Sequence, residues 1–261
     1  MIEVNDVTKG FNGAKVLDAI NFRIEDRESF VIIGRSGCGK SVLLKNIIGL
    51  MKPDGGRVLI DGTDIVPLDE RAMSPIRKKM GVLFQSAALF DSMTVFQNVA
   101  FPLLQEGKPD TAEVRRRVME VLDLVELEGN EEKKPAELSG GMRKRVGLAR
   151  AIIHQPSILF FDEPTTGLDP VMSDIIGHLI LRICDHVQCT SVTVTHDIKI
   201  AYMVADRIAM MRNGKMTAIG TPEEIQKSPD ESVQRFVHGV SQDETGQRVG
   251  TRVIRRTDHG K

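Results

Sequence analysis

The stretch GRSGCGKS at residues 34–41 constrains this chain more than any other because of what flanks it. The apolar run ESFVIIG enters it and VLLKNIIGL leaves it, the arrangement of a buried strand turning sharply into a helix. Gly34, Gly39, Lys40 and Ser41 fit the spacing GxxxxGK followed by Ser or Thr. In that spacing the glycines let consecutive backbone N–H groups turn inward, and the helix N-terminus adds positive partial charge where an anion sits. Lys40 would then reach the outer phosphates of a nucleotide, and Ser41 would bind Mg2+. A tight turn without a ligand is the other reading of the loop taken alone.

Apolar runs of the same kind recur. FVIIG at 30–34, ILFFDE at 158–163 and SVTVTHD at 191–197 are nearly unbroken, as expected of parallel strands covered on both faces. INFRI and GRVLIDG instead place Ile20, Phe22, Ile24, Val58 and Ile60 at alternate positions, the period of half-buried strands in an antiparallel subdomain. Between Gln85 and Pro156 the pattern turns helical, with Val114, Val118, Val121, Leu122 and Val125 at spacings that fit one helix face. Asn213-Gly214 between two apolar runs signals a hairpin. Thr221, Pro222 and Glu224 carry the marks of a helix start. The expected fold is α/β, with a mostly parallel central sheet, an N-terminal antiparallel β subdomain and an inserted helical subdomain over about 86–156.

Whole-chain quantities exclude several classes of function. Lys+Arg 35 against Asp+Glu 36 leaves a net charge of -1, so there is no global field for gripping nucleic acid or an anionic membrane surface. No run approaches the ~20 apolar residues that cross a bilayer, so a membrane role is expected to act through a partner chain. Three cysteines in 261 residues argue against a disulfide framework and fit a reducing, cytoplasmic compartment. Cys184 and Cys189, with His186 between them, lack further ligands for a metal and read as ordinary thiols. Cys38 stands at a helix start beside Lys40, two features that favour thiolate, and whether it is unusually reactive is left open by the sequence. Residues 240–261 form a polar, arginine-rich tail, either loose or packed against a neighbour.

Four further constellations bear on the phosphate loop. ILFFDEP puts Asp162 and Glu163 at the C-terminal end of a buried strand, where ligands of parallel sheets collect. Asp162 suits Mg2+, and Glu163 suits the general base that orients an attacking water. LSGGM at 138–142 opens a helix, with Ser139 as N-cap and Gly140 and Gly141 able to approach an anion closely. His196 ends a strand, where it would lean over a γ-phosphate, and Gln85 ends the strand-like run MGVLFQ. Each has a plainer reading: a solvated acidic loop, a helix cap, a structural histidine and a boundary residue.

The order of these features, from the phosphate loop through Gln85, LSGGM, ILFFDE and GLDP to His196, resembles the ATP-binding cassette ATPases, from Ile2 to about residue 239. The resemblance implies ATP and Mg2+ as cofactors, with Gly34, Arg35, Ser36, Gly37, Cys38, Gly39, Lys40, Ser41 and Val42 around the phosphates. It also implies that Ser41, Gln85 and Asp162 hold the metal, that Lys40, Gln85, Glu163 and His196 are catalytic, and that Asp169 belongs to the nucleotide site. Phe11 stands where the family offers an aromatic face to adenine, although burial in the β subdomain core is open on its residues alone. By the same resemblance Ser139, Gly140 and Gly141 complete the site of a second copy in a head-to-tail homodimer. Met142 departs from the usual glutamine, and a thioether cannot donate a hydrogen bond to a ribose.

LFQSAALFDSMTVFQNVAFPL, LSGGMRKRVGLARAI and PDESVQRFVHG are similar to the ATPases of Mla-type transporters, which move phospholipid between bacterial membranes. That similarity implies a transmembrane permease, an MCE-type lipid-binding subunit and a small STAS-like subunit as partners. It also implies a place on the cytoplasmic face of the inner membrane. A polar-solute importer ATPase would share every catalytic motif.

Overall fold

Strands that are apolar at every position need cover on both sides, and the computed structural model supplies it. It describes residues 1–105, 107 and 110–238. The chain begins with β1 (Ile2–Phe11), β2 (Ala14–Ile24), β3 (Ser29–Ile33), α1 (Lys40–Ile47), β4 (Gly55–Ile60) and β5 (Thr63–Asp64). It continues through α2 (Glu70–Arg77), β6 (Met80–Leu83), α3 (Val95–Leu104), α4 (Thr111–Leu124), α5 (Gly140–Ile152) and β7 (Ile158–Asp162). Then follow α6 (Pro170–Val187), β8 (Thr190–Thr195), α7 (Ile198–Val204), β9 (Arg207–Arg212), β10 (Lys215–Gly220), α8 (Pro222–Gln226) and α9 (Glu231–Val237).

A four-stranded antiparallel sheet runs β2-β1-β4-β5, and a six-stranded sheet runs β10-β9-β3-β8-β7-β6. Strands β9, β3, β8, β7 and β6 are mutually parallel, and β10 returns antiparallel to β9. In β3, Phe30 and Ile32 belong to one core with α1 and the antiparallel sheet, while Val31 and Ile33 belong to another with α3–α7. Successive side chains thus serve opposite faces, which is why Phe30, Val31, Ile32 and Ile33 are all apolar.

The local readings of the sequence correspond to elements. Asn213 (φ 48) and Gly214 (φ 75) make the β9–β10 turn, both in the left-handed region that such a turn demands. Thr221 caps α8 in a reciprocal capping box with Glu224. On α4, Val114, Val118 and Leu122 are buried, and Val125 follows them into the core. The tail from 240 onward lies outside the described residues.

Candidate active site

Strands β3, β8 and β7 are neighbours, so the loops leaving their C-terminal ends converge. The loop after β3 carries residues 34–39 into α1, whose N-cap is Gly39 at φ 108. A side chain at Gly39 would meet the Val16 carbonyl oxygen at 2.9 Å, so conformation and space both demand glycine. No side chain caps α1 and its first turn holds no acid, so its leading N–H groups stay available to an anion.

Lys40 is buried and folds back over the loop, its Nζ donating to the carbonyls of Gly34 at 2.8 Å and Arg35 at 3.2 Å. The same ammonium lies 3.4 Å from Glu163 Oε1. Ser41 Oγ donates to Asp162 Oδ1 at 2.9 Å. Burial pushes the Asp162 carboxyl up from its ordinary range; the Ser41 hydrogen bond opposes that shift and the Glu163 charge adds to it. A hydroxyl and a carboxylate together are hard oxygen donors, the set that suits Mg2+ shared with phosphate oxygens.

Glu163 is itself constrained. It sits just past β7 at φ 47, and its N–H donates to the Val194 carbonyl at 2.9 Å. Its Oε2 lies 2.7 Å from His196 Nδ1 and accepts from the His196 backbone N–H and the Thr166 hydroxyl, each at 3.3 Å. Lys40, Ser41, Asp162, Glu163 and His196 therefore gather at one edge of the sheet. A cleft of about 380 Å3 with His196 and Lys199 on its wall opens between the ends of β8 and the start of α6, and no residue of 34–42 lines it.

The remaining expected residues lie around this cluster. Phe11 ends β1 and is 42% exposed, with Lys9 Nζ 5.6 Å from its ring centre, so it is not a core residue. Gln85 is exposed just beyond β6. Ser139 caps α5 by accepting from Met142 N–H at 3.2 Å, and Asp169 caps α6 by accepting from Val171 and Met172 N–H. A Cβ at Gly141 would meet Met172 Cε at 2.3 Å, so these two helix starts lie side by side. Among the described residues neither Ser139 nor Asp169 hydrogen-bonds to the Lys40–Glu163 cluster.

Two points go beyond the sequence reading. The Cys38 thiol is pushed up by burial, which outweighs the Lys40 charge that favours thiolate. Carbamidomethylation of Cys38 at pH 7, followed by peptide mass spectrometry, is expected to run slower than that of a free thiol. Lys144 was not among the expected site residues, yet its Nζ donates to the backbone carbonyls of Gln85 and Glu163. The only hint in the sequence is a lysine on a helix stripe otherwise occupied by Gly147, Leu148 and Ala151.

Comparison with known proteins agrees with this geometry. The family model described as ABC transporter matches residues 17–166. The probable ribonucleotide transport ATP-binding protein mkl of Mycobacterium tuberculosis is 43% identical over 91% of this chain, which spans 66% of that relative's length. The intermembrane phospholipid transport system ATP-binding protein MlaF of Haemophilus influenzae is 39% identical over 92% of this chain and 91% of its own. A dimeric, post-hydrolysis structure of the ATP-binding cassette MJ0796 with ADP and Pi matches with TM-score 0.79 and 34% identity, covering 85% of this chain and 99% of that one. Fold, loop geometry and similarity over most of the length converge: the chain belongs to the ABC transporter family, as one of its ATP-binding, ATP-hydrolysing cassettes.

Proposed function

We propose that this chain is the ATP-hydrolysing subunit of a transporter that moves phospholipid between bacterial membranes, working as a head-to-tail pair of copies. The observation that carries the reading is the contiguous set Ser41–Asp162 and Lys40–Glu163–His196 beside the uncapped start of α1. Backbone N–H groups of residues 34–42 wrap the phosphates, and Phe11 offers its exposed face to adenine. Lys40 leaves the loop carbonyls to meet the β- and γ-phosphates, and His196 donates to the γ-phosphate. Glu163 takes the proton of the attacking water, and Gln85 helps orient that water.

Ser41, Gln85 and Asp162 would hold Mg2+, which when bound neutralises charge between the β- and γ-phosphates. Ser139, Gly140 and Gly141 of a second copy close over the nucleotide, with Asp169 at the seam. Closing and reopening this pair on binding and hydrolysis is the stroke delivered to the membrane partner. The exposed Phe90, in the loop after β6, and Leu104, at the end of α3, belong to the apolar surface that would receive a permease helix.

Among the described residues no helix is long and apolar enough to span a membrane. By the likeness to Mla-type ATPases, the chain would sit at the cytoplasmic face of the inner membrane, held there by its partners. Support for a phospholipid cargo is the likeness to Mla-type ATPases around residues 83–103 and 138–152 together with the MlaF relative. The ribonucleotide-transport name of the mkl relative favours the second reading, a polar-solute importer. Purification of the tagged full chain from detergent-solubilised membranes separates the two. The expected result is co-recovery of a permease, an MCE-type subunit and a small STAS-like subunit, with phospholipid enriched by lipid mass spectrometry. Recovery of a permease with a soluble solute-binding protein and no MCE-type subunit would overturn the phospholipid reading.

A further inference from the structure

Helix α5 lies hard against the end of β6 and the loop that follows it. A Cβ at Gly147 would meet Leu83 Cδ1 at 2.7 Å and Ala87 Cβ at 3.2 Å, so helix and loop are in direct contact. From this surface two cations reach backbone oxygens. Arg150 donates to the carbonyls of Ala87 at 2.7 Å and Ala88 at 2.8 Å. Lys144 Nζ donates to the carbonyl of Gln85 at 2.5 Å and to that of Glu163 at 3.3 Å.

Three of these acceptors share a peculiarity. Ala87 (φ 60), Ala88 (φ 46) and Glu163 (φ 47) hold left-handed backbone without being glycine. Each such residue carries backbone strain, and it persists only where its surroundings over-determine it. Capture of the three carbonyls by α5 is such a surrounding.

Lys144 is the more telling of the two cations. It is 5% exposed and, among the described residues, forms no ion pair. Burial lowers its ammonium to about 8, while the charges of Asp162 and Glu163 pull the other way. An apolar side chain would fill the same space without desolvating a charge, so packing alone does not account for a lysine here. Its two acceptors lie just beyond β6 and β7, two adjacent strands of the sheet, and one of them belongs to the residue read above as the general base.

We propose that Lys144 is a positioning residue for hydrolysis: from the helix that starts at Ser139 it fixes the Glu163 backbone, and thereby the aim of its carboxylate, and pins the Gln85 loop to the same point. The inference rests on the reading of Glu163 as base. Because α5 begins at the corner proposed to touch the nucleotide of the second copy, Lys144 also joins the two composite sites mechanically.

The test compares steady-state ATP turnover and equilibrium binding of a fluorescent ATP analogue in the full chain, for Lys144→Met, Glu163→Gln and the double variant. Lys144→Met is expected to lower kcat ~10–100-fold, the scale of a slightly misplaced catalytic group, with KM and analogue affinity within about threefold of wild type. In the Glu163→Gln background the same substitution is expected to cost less than about threefold, because the group it aims is already disabled. If Lys144→Met gives no cooperative thermal transition, Lys144→Gln, which keeps a shorter donor without the charge, takes its place, with an expected kcat loss of at least about fivefold.

Wild-type kcat in Lys144→Met beside an inactive Glu163→Gln would refute the role of Lys144 alone. So would equal losses of affinity and kcat, or an undiminished loss in the double variant. Wild-type turnover in Glu163→Gln beside a slow Lys144→Met would show that Glu163 is not the base and that Lys144 does not act through it.

Discussion

Glu163→Gln is expected to lower ATP turnover ~10²–10⁴-fold, the range of a lost general base, while ATP binding survives. The substitution is nearly isosteric, so the left-handed backbone at φ 47 and the Val194 hydrogen bond need not change. The amide oxygen can still accept from His196 N–H and Thr166, which now meet Oε2 at 3.3 Å. What disappears is a carboxylate able to take a proton, together with the negative charge 3.4 Å from Lys40 Nζ. Losing that charge frees the lysine for phosphate, so binding is expected to hold or tighten. Phosphate release under saturating ATP and Mg2+ measures the first effect, and fluorescent-analogue titration the second. Turnover near the wild-type rate would remove Glu163 from the chemistry; a parallel loss of binding would make it a nucleotide-holding residue instead.

The phosphate loop is legible in the sequence because its chemistry is local: Gly34, Gly39, Lys40 and Ser41 act over eight consecutive residues, and the flanking runs announce strand and helix. Strand-end residues such as Asp162, Glu163 and His196 are legible one step less directly, since an unbroken apolar run places their ends but not their neighbours. That β3 and β7 flank β8 is a property of the sheet order, which no local pattern carries. Lys144 is hidden for a deeper reason. Its acceptors lie 59 and 19 residues away and are main-chain oxygens, which every residue type possesses. Cys38 is left open by the sequence for the opposite reason: the helix start and Lys40 favour thiolate, but a Cβ at Gly34 would meet Cys38 Sγ at 2.7 Å, and the closeness of that packing is invisible until the loop is folded.

Lys40→Met is expected to show the reverse split, weakening ATP binding ~30- to 5,000-fold, the equivalent of the ~2–5 kcal/mol lost when one partner of a buried, hydrogen-bonded charge pair is truncated. Methionine keeps most of the lysine stem, so the space between the loop and Glu163 stays filled, and the deficit is the ammonium alone. Two consequences follow from its present contacts. The Gly34 and Arg35 carbonyls lose the donor now at 2.8 and 3.2 Å, and an orphaned buried acceptor costs ~1–3 kcal/mol, so the melting temperature is also expected to fall. Glu163 loses the Lys40 ammonium but keeps the His196 ring nitrogen at 2.7 Å, which limits that penalty. Restoring ATP to saturation should then reveal how much of the turnover defect is binding: a residual kcat well below wild type would place the ammonium on charge developing at the γ-phosphate. Wild-type affinity in Lys40→Met would instead mean that the loop after β3 does not cradle the triphosphate, and with it the assignments of Ser41 and Asp162 would lose their anchor.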